Sequence, residues 1–327
     1  MRVAITGAGG FVGRRLADAL RARRTLRGGA IERLMLVDRA FVDPPADPLI
    51  ETISGDFGQN ACREALARAA PDVVFHLAAL PGGAAEADYA LGRHVNLEAP
   101  LALFDRLAKP GLVVVNASSL AVFGTPLPRA IFDDTLPVPT LTYGAHKLML
   151  EIHLADLSRR GKLDARSLRL PGIVARPSAP SGHVSAFTSQ IFHALSRGEP
   201  FVCPTRPEGA VLVESVETCV VNLIHAAELP AARLPIRRAF LAPCLRVSMA
   251  QLAAAIWRAR GLSGAPPVVY APDAKIEAQY AAYPPTRTEI ADSLGFHHDG
   301  DVDALARNAL QGLPMQELPM DRADKRI

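Results

Sequence analysis

Tyr143 and Lys147 stand four positions apart in Tyr143-Gly144-Ala145-His146-Lys147. On a helix that spacing puts both side chains on one face. A tyrosine hydroxyl is a poor base at neutral pH, because its ordinary pKa is about 10. A nearby ammonium favours the phenolate and lowers that pKa, which makes the tyrosine a base for a substrate hydroxyl. By itself the pair also describes an ordinary surface Tyr and Lys. A second feature gives it weight: Ala117-Ser118-Ser119-Leu120 closes the apolar run Leu112–Ala117, which reads as a strand. A hydroxyl at a strand end can bond a substrate oxygen and steady the charge that develops on it. Ser119, Tyr143 and Lys147 therefore read as a proton-transfer set.

A third feature lies at the start of the chain. Ile5-Thr6-Gly7-Ala8-Gly9-Gly10-Phe11-Val12-Gly13 separates a short apolar strand, Arg2–Thr6, from a helical pattern over Phe11–Arg24. Small residues there let the backbone approach a pyrophosphate, and the helix N-terminus supplies free N–H groups and a favourable dipole. The glycines fall at Gly7, Gly10 and Gly13, not in the G-x-G-x-x-G spacing. A tight structural turn uses the same residues, but the strand-loop-helix setting points to a dinucleotide. Asp38 ends a second apolar strand, Arg33–Asp38. A carboxylate there accepts hydrogen bonds from the adenosine ribose and repels a 2′-phosphate, so NAD is expected over NADP. Arg39, the next residue, favours a phosphate instead. Asp56 in Gly55-Asp56-Phe57 has two readings, a contact to the adenine edge or a turn or N-cap residue. A positive nicotinamide ring near Tyr143 would add to the lowering of its pKa, and Lys147 is placed to hold the adjoining ribose as well.

These residues must be positioned by alternating strands and helices. The pattern continues with a strand over Leu49–Ser54, a helix over Asn60–Ala70 and a strand over Val73–Leu77. A long helical stretch follows over Ala84–Ala108, kinked or broken near Pro100, then the strand Leu112–Ala117, a helix over Tyr143–Arg160 and a strand over Ala165–Leu170. Continuously apolar strands joined by helices imply an α/β fold, a Rossmann-like doubly wound parallel sheet covered on both faces. After Leu170 the pattern changes. Pro177–Gly182 reads as a loop, Phe187–Arg197 as a helix, Val211–Glu228 as a strand leading into a helix, and Pro266–Pro285 as mostly irregular. The expected division is an NAD-binding domain over 1–176, joined again by part of 211–242, and a smaller C-terminal substrate-binding lobe over 177–327.

The 327 residues are 49% hydrophobic and 21% charged, which suits a globular protein with a sizeable core. Net charge is only +3, and the densest basic run, Arg21, Arg23, Arg24 and Arg27, reads as a solvated helix face. No nucleic-acid partner is expected. Cys62, Cys203, Cys219 and Cys244 show no C-x-x-C spacing, so neither a metal site nor a disulfide framework is expected, in keeping with a reducing compartment. No signal-peptide core precedes the first strand and no apolar run is long enough to cross a bilayer, so the expectation is a cytoplasmic protein without a membrane partner.

These motifs resemble the extended short-chain dehydrogenase/reductase family, which includes nucleotide-sugar epimerases and dehydratases. Thr6-Gly7-Ala8-Gly9-Gly10-Phe11-Val12-Gly13 is similar to its T-G-x-x-G-x-x-G loop, and His76-Leu77-Ala78-Ala79 to its H-x-A-A strand end beside the cofactor. Ser118-Ser119-Leu120-Ala121-Val122-Phe123-Gly124 is similar to S-S-x-x-V-Y-G, with Phe123 in place of Tyr. Arg287 to Phe296 is similar to the closing segment. By this register Ser119, Tyr143 and Lys147 are the catalytic residues. The resemblance further implies cofactor contacts at Gly7, Gly10, Phe11, Val12, Gly13, Asp38, Asp56, Leu77, Ala78, Ala79, Asn96, Ser118, Tyr143, Lys147, Pro171 and Ile173. Gly172, in Leu168-Arg169-Leu170-Pro171-Gly172-Ile173-Val174-Ala175-Arg176-Pro177, departs from the family's L-R-x-x-N-x-Y-G-P. The missing Asn is the residue that many relatives turn toward a nucleotide-sugar.

Within the family, Ser119–Gly124, Asp133–Pro137, Leu168–Pro171 and Ile224–Pro230 look most like the members that oxidise the C2 hydroxyl of a four-carbon sugar acid, D-erythronate, with NAD. The resemblance thus implies an NAD-dependent dehydrogenase with a small-molecule sugar-acid substrate. Its rivals are a nucleotide-sugar epimerase or dehydratase that keeps its NAD, and a non-enzymatic dinucleotide sensor. A sugar acid needs a cationic or amide-lined pocket. Arg176, His183, Gln190 and Arg206 are the candidates, and Glu214-Ser215 either borders that pocket or makes structural hydrogen bonds. Helical faces on Ala84–Ala108 and Leu148–Leu157 fit either a homodimer interface, as many relatives have, or packing on the sheet.

Overall fold

The computed structural model describes residues 1–41, 46–177, 184–311 and 313. Of the loop expected over Pro177–Gly182 only Pro177 falls among them, and His183 lies outside.

The chain begins with β1 (Arg2–Thr6), α1 (Phe11–Arg23), a small hairpin of β2 (Thr25–Leu26) and β3 (Gly29–Ala30), then β4 (Arg33–Asp38), β5 (Ile50–Ser54), α2 (Asn60–Ala69) and β6 (Val73–His76). Helices α3 (Gly82–Ala87), α4 (Tyr89–Arg93) and α5 (Ala99–Leu107) lead to β7 (Val113–Ser119), α6 (Thr142–Arg159) and β8 (Asp164–Leu170). Next come β9 (Gly172–Ile173), α7 (Phe187–Ser196), β10 (Phe201–Cys203), β11 (Ala210–Glu214), α8 (Val216–Glu228) and β12 (Ala239–Leu241). The chain closes with β13 (Leu245–Ser248), α9 (Met249–Ala259), β14 (Val268–Tyr270), α10 (Ala274–Tyr280), α11 (Glu289–Leu294) and α12 (Val302–Leu310).

Seven parallel strands form the central sheet in the order β12-β8-β7-β6-β1-β4-β5. Alternate residues serve opposite faces. Val3, Ile5, Val113 and Val115 pack with α1 and α8, whereas Ala4, Val74 and Val114 pack with α2, α5 and α6. Both faces are buried, which is why these strands are continuously apolar in sequence. The chain runs from β1 to β4 and β5 on one side, then returns to β6 on the other. The strand order therefore reverses between β1 and β6, and ligands of open α/β sheets bind outside the carboxyl ends of the strands at such a point. β12 pairs with β8 at the edge, bringing residues 239–241 back to the sheet.

A second core gathers Ile191, Phe192 and Leu195 of α7, Leu252 and Ile256 of α9 and Leu305 of α12. Helix α9 starts at a capping box, in which the Ser248 hydroxyl accepts from Gln251 N and the Gln251 side chain accepts from Ser248 N. Strand β11 joins the lobes by pairing antiparallel with β13 and parallel with β9, which follows directly on β8.

Two expectations need correction. The stretch over Ala84–Ala108 breaks at Asp88, which leaves helical geometry (φ −131°, ψ 91°) and caps α4 by accepting from Leu91 N at 3.0 Å. Near Pro100 the helix widens instead into a π turn over His94–Glu98. Proline has no N–H to donate and crowds the preceding turn, and the wider turn accommodates it. The proline-rich stretch over Pro266–Pro285 contains β14 and α10. Its prolines bracket these elements, and Asp273 caps α10 through Lys275 N and Ile276 N. The arginine run near the end of α1 is paired locally, Arg23 with Glu228 at 2.5 Å and Arg24 with Asp47 at 2.7 Å. Among the described residues no helix is long and apolar enough to cross a membrane.

Candidate active site

The glycine loop is shaped by contacts that exclude side chains. Gly7 has φ +73°, and a Cβ there would lie 2.7 Å from Ala78 N at the end of β6. A Cβ on Gly13 would strike the Gly7 carbonyl, so α1 can pack this closely on the loop only with glycine. Gly10 caps α1, and the first helical turn, with Phe11 and Val12, carries no acidic residue. The helix N-terminus is thus left positive for an anion.

Asp38 ends β4 with both carboxylate oxygens oriented by backbone: Gly9 N donates to Oδ2 at 2.8 Å and Arg39 N to Oδ1 at 2.7 Å. Gly7, Gly10, Asp38, Asp56, Leu77, Ala78 and Ala79 line one cavity above β1, β4 and β6. A glycine-walled cradle at a helix N-terminus with a carboxylate on the neighbouring strand fits a dinucleotide. Asp56 lines this cavity, and its Oδ1 accepts from Gly58 N at 2.7 Å in the turn before α2, the turn role that was one of its two readings. Asn96 acts one step back. It accepts from Leu80 N at 2.7 Å and donates to Leu80 O at 3.0 Å, which fixes the loop after β6. His76 beneath this loop bonds Thr6 Oγ1 at 2.8 Å and meets Phe57 and Phe104 edge to face. Burial pulls its pKa down to about 3 and keeps it neutral.

A second cavity adjoins the ends of β7 and β8. Ser119, Tyr143, Pro171, Gly172 and Arg176 line it, and Tyr280 and Tyr283 close it from the second lobe. The strand β7 extends past Ala117 because Ser118 and Ser119 pair with Arg169 and Leu170 of β8. Consecutive strand residues face opposite ways, and this separates the two serines. Ser119 Oγ accepts from Ala121 N at 3.1 Å and lies beside the Tyr143 hydroxyl, whose pKa it helps to hold back. Ser118, expected at the cofactor, instead donates its buried hydroxyl to Glu151 Oε1 at 2.5 Å. Glu151 also receives Arg169 through Nε at 3.1 and 3.2 Å and Nη2 at 2.8 Å, a buried ion pair beneath the site. Ile173 is packed in the core next to β11.

Tyr143, Lys147 and Glu151 follow one another along α6 at single-turn spacing. Lys147 donates to the Ala117 carbonyl at 2.8 Å, and its Nζ lies 5.6 Å from the Tyr143 ring centroid. Burial draws its pKa down to about 8, with Glu151 opposing the shift. Burial pushes the Tyr143 hydroxyl up, and Arg176 and the Ser119 hydrogen bond hold it back. Arg176 is a second cation near the phenol, beside Lys147, whose ammonium is bonded to the Ala117 carbonyl.

Of the other carboxylate candidates, Arg206 is an exposed side chain paired with Glu277 at 3.1 Å, and Gln190 is exposed on α7. Glu214 and Ser215 are structural. Asn222 Nδ2 donates to Glu214 Oε1 at 2.7 Å, burial pushes the Glu214 carboxyl well above the usual range, and Ser215 caps α8 and donates to Asp299 at 2.5 Å. Tyr280 and Tyr283 were not legible as site residues, because they reach the cavity through the docking of residues 281–283 on Ala210 of β11, a long-range pairing that the proline-rich sequence hides.

A dinucleotide cradle at the sheet's switch point, with a tyrosine and a serine hydroxyl beside it, defines an NAD-dependent dehydrogenase acting on CH–OH groups. Residues 3–214 match the model of the NAD dependent epimerase/dehydratase family, and the chain belongs to that family. It is similar to the D-erythronate dehydrogenase of Cupriavidus necator, with 36% identity over 94% of this chain and 97% of that protein. The D-erythronate dehydrogenase of Haemophilus influenzae is 32% identical over 95% of this chain and 98% of its own length. Among solved structures, the nucleoside-diphosphate-sugar epimerase from Agrobacterium tumefaciens superposes with a TM-score of 0.89 at 31% identity, covering 95% of this chain and 94% of that one.

Proposed function

We propose that the protein oxidises the C2 hydroxyl of a small sugar acid, D-erythronate, to 2-dehydro-D-erythronate. The observation that carries this reading is the near-complete coverage by two relatives named D-erythronate dehydrogenase, together with Ser119 and Tyr143 in one cavity. NAD, when bound, would supply the hydride acceptor for the carbinol carbon. Gly7, Gly10 and Gly13 would hold its pyrophosphate and Asp38 its adenosine ribose. Lys147 would hold the nicotinamide ribose while its bond to Ala117 keeps α6 on β7. Tyr143 takes the hydroxyl proton, and Ser119 orients that hydroxyl by hydrogen bonding to the same oxygen.

The likeness to the Agrobacterium tumefaciens nucleoside-diphosphate-sugar epimerase favours the nucleotide-sugar reading. Against it, Gly172 sits in the short β9–β11 pair and supplies no side-chain amide to the cavity. The exposed Met149 and Ile152 on α6 support the further reading of a homodimer, which sedimentation analysis tests directly.

The function is tested by following NADH absorbance with D-erythronate, D-threonate, L-threonate and a nucleotide-sugar. Turnover on D-erythronate alone is expected. NADH from another acid moves the substrate assignment, and none from any acid overturns the dehydrogenase reading. Tyr143→Phe should bind NAD normally and lose turnover about 10²- to 10⁴-fold.

A further inference from the structure

Among the described residues lining the cavity at Ser119 and Tyr143, Arg176 is the one charged side chain. The rest of the wall is hydroxyl groups, such as Thr188, Tyr280 and Tyr283, and apolar groups, such as Leu170, Pro171 and Val213. Arg176 follows β9 through a special backbone turn. Ala175 has φ +59°, a left-handed conformation that a residue with a side chain rarely adopts. The His193 ring then bonds the Arg176 carbonyl at 2.5 Å, pinning this turn to α7. A strained and fastened backbone is a means of aiming one side chain.

We propose that Arg176 binds the carboxylate of the substrate and so restricts this cavity to hydroxy acids with the reacting hydroxyl next to the carboxylate. The inference rests on Tyr143 acting on a sugar acid, as proposed above. An α-hydroxy acid carries its carboxylate one carbon from the carbinol, so the cation that holds it must stand beside the base. Arg176 meets this requirement, since it and Tyr143 line the same cavity and feel each other's charge. A guanidinium offers two parallel N–H donors to a carboxylate, which fixes the rotation of the acid as well as its position. The same charge favours the Tyr143 phenolate.

The test compares the wild type with Arg176→Met and Arg176→Lys, all loaded with NAD, using D-erythronate and the neutral polyol erythritol. Removing the guanidinium should lower kcat/KM for the acid about 10- to 100-fold, the size of a lost charge-assisted pair. NAD affinity should stay near wild type, the rate with erythritol should fall only by what the shifted Tyr143 titration costs at that pH, well short of the loss with the acid, and Arg176→Lys should fall between. The rising limb of the kcat/KM profile should move to higher pH in Arg176→Met, which a purely structural loss does not produce. Wild-type turnover of acids with an unchanged acid-to-polyol ratio in both variants overturns the anchor and leaves the dehydrogenase reading standing. A wild type that prefers erythritol, or reduces no NAD with any acid, overturns both. If Arg176→Met fails to fold, Arg176→Lys carries the decision through the same ratio and pH profile.

Discussion

The Lys147 ammonium is bonded to the Ala117 carbonyl at 2.8 Å, which fastens the helix bearing Tyr143 to the strand that presents Ser119 two residues later. One buried cation thus ties the element that carries Tyr143 to the one that carries Ser119, the proposed base and orienting hydroxyl. Lys147→Met should lower kcat about 10²-fold or more and weaken NAD binding. Its stability should move the other way. Because the folded pKa is about 8 against an ordinary 10.5, the unfolded chain binds a proton between those values that the folded chain lacks. Wild-type stability therefore rises with pH across that window, and below pH 8 the charged lysine costs the fold about 3 kcal/mol, less what the lost bond returns. Urea midpoints from pH 7 to 10.5 should show the variant at least as stable as wild type at pH 7, with the wild type gaining on it as pH rises.

Gly144 immediately follows Tyr143, the proposed base, and a Cβ there would overlap the Ala121 carbonyl. Gly144→Ala must push α6 away from the Ser119–Ala121 turn. Misplacement by about 1 Å costs roughly 10²-fold in rate, whereas such overpacking costs about 1–3 kcal/mol in stability. Steady-state kinetics beside thermal unfolding should show a far larger loss of kcat than of folded protein.

Asp38 is held by Gly9 N and Arg39 N where a ribose 2′-hydroxyl would bond. Replacing it with alanine removes the repulsion of a 2′-phosphate and leaves Arg39 to attract one. The NAD to NADP ratio of kcat/KM should fall by at least about tenfold, roughly 1.4 kcal/mol. A ratio that does not change would place the adenosine ribose elsewhere.

His76 links acid sensitivity to the cofactor cavity. Its folded pKa of about 3 lies below the ordinary 6.5, so the unfolded state takes up a proton first as pH falls. The stability from neutral His76 is complete above pH 6.5 and is lost progressively toward pH 3, about 4–5 kcal/mol in all. Denaturation midpoints should decline across that window, and His76→Phe should flatten the decline while losing the Thr6 bond.

Much of this arrangement was legible from local patterns. The glycines had to meet a strand end and a helix start that are adjacent in sequence, so their spacing reported their geometry. Tyr143 and Lys147 share a helix face by spacing alone, and the apolar strands announced a sheet buried on both sides. That the Ser118 hydroxyl turns to Glu151 was not legible, because the alternation that separates it from Ser119 continues only if β7 extends to Ser119, and pairing with β8 decides that. Asn96 was placed at the cofactor by resemblance, but its amide serves the Leu80 peptide.

The sequence by itself singled out the groups proposed to carry the chemistry and determined most of the elements that hold them, because propensity, glycine spacing and hydrophobic period act over a few residues. The tertiary structure alone decided that Arg176 shares a cavity with Tyr143, how Tyr280 and Tyr283 close that cavity, and that Glu151 answers Arg169 and Ser118 below it. Those contacts join segments far apart in the chain, and only the close packing of both lobes around β11 brings them within reach of one another.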